Sequence, residues 1–80
     1  MDEFLEYVIR QLVDFPDEVV LTRHEEGRRV IFHLKVRPED VGKVIGKGGH
    51  TIEAIRNLLK AAGQRHGHKA SLEIIEDRPA

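Results

Sequence analysis

The stretch Val44-Ile45-Gly46-Lys47-Gly48-Gly49-His50-Thr51-Ile52 decides how this chain is read. Four of the seven glycines fall within residues 42–49. Glycine inside a helix costs roughly 1 kcal/mol, and a tight turn between helices needs only one or two. The surplus fits a backbone that approaches a ligand closely, with amides at the start of a following helix available to a phosphate. Two nucleotide-binding patterns fail at this segment. For G-x-x-x-x-G-K-[ST], counting from Gly42 puts Lys47 where the second glycine belongs. For G-x-G-x-x-G, Gly46 and Gly48 are followed by Thr51 where the third glycine is required.

Working outward, Pro38 with Glu39 and Asp40 reads as the acidic first turn of a short helix that stops at the glycines. A second helix starts near His50 or Thr51 and shows Ile52, Ile55, Leu58, Leu59 and Ala62 as its buried stripe, with Gly63 as its stop. Residues 64–69 read as a basic loop, Ala70–Ile75 as a last strand with Leu72 and Ile74 facing in, and Glu76–Ala80 as a fraying end. Upstream, Phe4, Leu5, Val8, Ile9, Leu12 and Val13 recur at helical spacing over residues 2–14, and Pro16 is expected to end that helix. Val19–Glu25 and Arg28–Val36 read as strands joined by a turn at Glu26-Gly27. The second alternates, with Val30, Phe32, Leu34 and Val36 on one face and Ile31, His33, Lys35 and Arg37 on the other. Ile31 departs from that pattern and is expected to be partly buried.

The order is therefore α-β-β-α-α-β, an α+β fold. Its three-stranded mixed sheet is covered on one face by helices: the first two strands form an antiparallel hairpin, and the last lies parallel to the second after a helical crossover. Eighty residues form one domain over 1–80, with an ordered core of about 2–75. That length excludes a two-lobed enzyme, a Rossmann fold or a TIM barrel. The absence of cysteine excludes disulfides and thiolate metal sites and fits a reducing, cytoplasmic setting. No apolar run reaches the ~18 residues of a membrane span.

The net charge of −1 argues by itself against a polyanionic partner, but it hides an uneven distribution. Residues 1–26 carry two basic against eight acidic residues, residues 27–69 ten against three, and residues 70–80 one against three. A basic middle between acidic ends suits a polyanion, and a well-mixed surface would read the same way if chain neighbours occupy different faces.

The quoted stretch resembles the KH-domain signature V-I-G-x-x-G-x-x-I, in which a G-x-x-G loop joins two helices and clamps single-stranded nucleic acid. The element order is that of the type II (prokaryotic) KH arrangement over residues 2–75. In length and sequence the chain resembles the small bacterial single-KH RNA-binding proteins of the KhpA (YlqC) family. The resemblance implies a non-catalytic protein that holds single-stranded RNA at Gly46, Lys47, Gly48 and Gly49, as a post-transcriptional regulator or RNA chaperone. It implies an apolar groove floor at Val44, Ile45 and Ile52, although Ile45 and Ile52 are equally readable as core. Lys43 and Arg56 are candidates for further phosphate contacts. Arg65 and Lys69, in the segment matching the variable loop, are candidates for the opposite wall. All four also fit solvated surface charges, and Lys60 fits that reading best. The family resemblance further implies a homodimer, or a heterodimer with a larger KH-containing RNA-binding protein. The first helix, the outer face at Ile31 and His33, and the outer side of the Ile52–Ala62 helix are the possible interfaces.

Other functions find less support. His66 and His68 lack a third ligand, so no metal site and no cofactor are expected. Ser71 is the sole serine and sits in a strand with no motif around it, and nothing resembles a nucleophile–base–orienter set, so no enzyme is expected. Four aromatics are too few for a stacking platform of the RRM kind. A reader of double-stranded DNA should carry base-edge donors at the start of its recognition helix, where this chain has His50-Thr51-Ile52-Glu53. A protein–protein adaptor and a single-stranded DNA-binding module remain the alternatives.

Overall fold

A computed structural model describes residues 1–75. The elements are α1 (Asp2–Leu12), β1 (Val20–Glu26), β2 (Arg29–Lys35), α2 (Val41–Ile45), α3 (His50–Arg65) and β3 (Lys69–Ile74), with single 3-10 turns at Pro16–Glu18, Pro38–Asp40 and Lys47–Gly49. The sheet order is β1-β2-β3, antiparallel then parallel. The expected α+β fold is the one observed. The expected fraying of Glu76–Ala80 lies outside the described residues.

β2 is the centre of the core because its alternation leaves Val30, Phe32 and Leu34 with no exposed surface. Each such burial is worth about 1.5–3 kcal/mol relative to exposure. Leu5 and Ile9 of α1, Val44 of α2, Ile52, Ile55 and Leu59 of α3, and Ala70 and Leu72 of β3 join the same cluster. On the opposite face of the sheet Ile31 is half-buried, as its departure from the alternation suggested.

Several boundaries differ from those read in the sequence, each for a physical reason. α1 stops at Leu12 rather than residue 14: Val13 turns to an extended conformation and buries its side chain. The next two N–H groups, of Asp14 and Phe15, donate to the Asp40 carboxylate at 3.1 and 3.0 Å. Pro16 therefore opens a 3-10 turn four residues after the last residue of the helix. The hairpin loop is Gly27-Arg28, one residue later than expected, because Glu26 still pairs with Arg29. β3 likewise begins one residue early, at Lys69, whose N–H donates to Arg28 O.

Gly63 does not end α3. The helix runs to Arg65 and closes in a Schellman motif, with Gly67 N–H bonded to Gln64 O at 3.1 Å and His68 N–H to Gly63 O at 2.8 Å. Gly63 serves a different purpose, since a Cβ there would lie 2.9 Å from His68 O and 3.1 Å from the Ala70 Cβ. Its missing side chain lets α3 close onto β3. The expected basic loop 64–69 shrinks to 66–68, with Gln64 and Arg65 on the helix and Lys69 on the strand. The buried stripe is Ile52, Ile55, Leu59 and Gly63; Leu58 lies on the flank of the helix and is 54% exposed.

Candidate nucleic-acid interface

α2 has five residues, too few to be stable alone, so its position depends on anchors outside itself. Val44 is one, fully enclosed in the core. The other is Asp40, the one charged side chain among the described residues that is fully buried. Its two oxygens accept the Asp14 and Phe15 N–H groups, and Lys43 Nζ stands 3.6 Å from Oδ1 and 2.8 Å from the Asp14 carboxylate. Burial pushes the Asp40 carboxyl up, but the two backbone donors and the Lys43 ammonium outweigh it and hold the group below the usual carboxylate range. A second tie runs alongside, where the Arg37 guanidinium lies 3.9 Å from the centre of the Phe15 ring and pairs with Glu18 and Glu39.

Beyond α2 the backbone reverses at Gly46, with φ 76° and ψ 171°. A side chain at this position would collide with Thr51, whose Oγ1 would be 2.1 Å from the new Cβ. Only glycine permits the change of direction and the close start of α3. Lys47, Gly48 and Gly49 then form one 3-10 turn, with Gly48 and Gly49 also at positive φ. Lys47 and Gly48 are exposed. Gly49 caps α3 and brings no side-chain acceptor, so N–H groups in the first helical turn are left to a ligand or water at the positive end of a 16-residue helix.

From this loop α3 runs back along β3, whose outer edge is open. The N–H groups of Lys69 and Ile75 donate to Arg28 O and Leu34 O, both at 2.8 Å, so odd-numbered residues of β3 bond to β2. Ala70, Leu72 and Ile74 consequently turn their backbone groups to the unpaired edge. Arg56 reaches from α3 to this edge, its Nε donating to Leu72 O at 3.2 Å. Lys60 and Gln64 follow Arg56 at four-residue intervals and share its side of the helix.

Of the residues singled out in the sequence, Gly46, Lys47, Gly48 and Gly49 come together as one loop, with Arg56 one turn further along α3 and Lys69 at the far end of β3. Ile52 is 93% buried and Ile45 half-buried; both pack on the core cluster, and Val44 is wholly within it. Lys43 is engaged by Asp14 and Asp40. Arg65 follows Arg56 by nine residues, which places it about half a turn round the helix, on the opposite flank. Sequence reasoning missed Lys60, Gln64 and Asp40. The four-residue spacing from Arg56 was the available signal for the first two; Asp40 offered none, since its partners lie 25 and 26 residues away. Among the described residues no cluster of three metal-ligating side chains occurs, and no helix is long and apolar enough to cross a membrane.

Comparison with known proteins agrees with this geometry. The family model described as the KhpA/KhpB KH domain matches residues 2–74. A Chlamydia trachomatis protein named RNA-binding protein KhpA is 47% identical over 78 residues, covering 98% of this chain and all of the relative. Proteins of the same name from Oceanobacillus iheyensis and Listeria monocytogenes are 40% and 42% identical over 94% and 95% of this chain, again covering the whole of each relative. With the G-x-x-G turn between two helices and the α-β-β-α-α-β order in place, the match is one of architecture as well as sequence, and the chain belongs to the KhpA/KhpB KH-domain family.

Proposed function

We propose that this protein binds short single-stranded RNA, non-catalytically, with the phosphate backbone held at Gly46–Gly49 and the bases lying in the groove between α3 and β3. The observation that carries the reading is the loop itself: three glycines at positive φ surround one exposed lysine at the start of α3. The relatives named as RNA-binding proteins support the choice of ligand. Lys47 meets a phosphate oxygen, the first turn of α3 supplies N–H donors and partial positive charge, and Arg56 and Lys69 contribute further cationic contacts. Ile45 and Ile52 reach the groove only at their edges, so they set its floor without being its main contact.

About four nucleotides fit such a site. With few charge contacts and no aromatic platform, a single domain binds weakly and with strong salt dependence. Self-association, or pairing with a larger KH-containing RNA-binding protein, would raise affinity through effective concentration. In this reading the protein acts in the cytoplasm as a post-transcriptional regulator or RNA chaperone. Crosslinking to RNA in cells followed by sequencing tests it. Enriched short single-stranded motifs, lost when the loop carries acidic substitutions, are the expected result; absence of crosslinked RNA would leave the protein as an adaptor.

A further inference from the structure

At the end of the groove furthest from the glycine loop, a recess of about 270 Å³ is lined by Lys60, Gln64, His68, Lys69 and Ala70. It lies just below the ~300 Å³ at which small-molecule pockets usually begin, a scale suited to one planar base. Its surface is mostly apolar, and among its lining residues Lys60 and Lys69 bring cationic side chains and Gln64 an amide. The backbone builds it deliberately: Gly63 brings α3 against Ala70, and the Schellman turn at Gly67 folds His68 back over the helix end. His68 Nδ1 is enclosed and has no hydrogen-bond partner.

We propose that this recess is a second nucleotide subsite, which takes the base of a nucleotide beyond those held at Gly46–Gly49. The inference rests on the RNA-binding reading above and extends it. The recess is on the same side of α3 as Arg56, which already bridges to Leu72 O on the β3 edge, so a strand leaving the glycine loop follows Arg56, Lys60 and Gln64 into it. The base lies against Ala70 and the lysine stems, the Gln64 amide reads its edge, and the Lys60 and Lys69 ammonium groups hold its flanking phosphates. The pairing of exposed lysines with a small apolar floor favours a nucleotide over a free anion, which would gain nothing from the floor. It equally disfavours an acidic peptide, which would have no use for a recess this size.

The test is a length series of fluorescein-labelled, mixed-sequence RNAs of four, six and eight nucleotides, measured by anisotropy at one fixed salt concentration. Wild-type affinity should rise between four and eight nucleotides by roughly tenfold more than the number of binding registers explains. Lys60→Ala should remove most of that gain while leaving four-nucleotide affinity within about twofold of the wild type. Gln64→Leu, which keeps the charge, should remove part of it. In NMR titrations the Ala70 methyl and His68 ring signals should move with the eight-nucleotide RNA and stay still with the four-nucleotide one. A wild-type affinity that tracks only the number of registers, or variants that weaken all lengths equally, would overturn the subsite and leave the glycine-loop reading standing. Loss of binding at every length on acidic substitution of Lys47 and Gly48 reports on that reading separately. Wild-type failure to bind any of the RNAs overturns both.

Discussion

The carboxylate of Asp40 accepts the backbone N–H of Asp14 at 3.1 Å across 26 residues of chain. With the matching bond from Phe15, it joins the connection that follows α1 to the short helix that carries the glycine loop. Asp40→Ala leaves two backbone donors without acceptors in a buried place and should destabilise the protein more than Asp14→Ala, which removes only an exposed partner of Lys43. Asp40→Asn keeps one acceptor and should fall between them. Urea unfolding monitored by circular dichroism ranks the three.

The same residue sets part of the acid response. The folded-state pKa of Asp40 is depressed, so its contribution is fully present above the ordinary carboxylate value of about 3.9 and is lost as pH falls through the lower folded value. The Lys43 ammonium faces it, and with its own pKa raised it stays charged throughout this range. Stability measured against pH should therefore drop below about pH 4 in the wild type, and Asp40→Asn should flatten that drop while lowering the plateau.

Gly63→Ala sets two effects against each other. Alanine in a helix interior gains roughly 1 kcal/mol over glycine. The added Cβ, however, meets the His68 carbonyl at 2.9 Å and the Ala70 Cβ at 3.1 Å, and neither is the end of a flexible side chain. Overpacking of this kind costs about 1–3 kcal/mol, so the net change should be destabilising by thermal unfolding. A stabilised variant would show that α3 can move away from β3 at no cost.

Gly46→Ala should be worse. Alanine is strained at φ 76°, costing about 1–3 kcal/mol, and its Cβ would overlap Thr51. Gly46→Ala combined with Thr51→Gly relieves the overlap and leaves the strain, so the double variant should recover part of the lost stability. By contrast Leu58→Glu, at a position 54% exposed, should change unfolding free energy by no more than about 0.5 kcal/mol.

The glycine loop was legible because its signal is local: glycine density and flanking apolar residues sit within nine positions. The element order was legible for the same reason, since proline, glycine and the alternation of β2 punctuate the chain. What escaped depended on distant chain segments. Gly63 and Gly67 both satisfy the rule for a helix stop, and only the approach of β3 decides between them. Asp40 reads as an ordinary first-turn acid until Asp14 and Phe15 are placed beside it. Lys60 reads as plain surface and Gln64 as part of a basic loop until β3 forms the other wall of the recess.

The central claim is that the Gly46–Gly49 loop holds single-stranded RNA. Lys47→Asp with Gly48→Asp tests it most directly. Gly48 lies at φ 64° and ψ 15°, a left-handed conformation that aspartate tolerates better than most residues, and a Cβ there meets only the His50 ring. The fold should therefore survive while the loop turns from cationic to anionic. Anisotropy titration with an eight-nucleotide RNA should show binding abolished in a variant whose circular dichroism spectrum and unfolding midpoint remain those of a folded protein. Unchanged affinity in that folded variant would contradict the account.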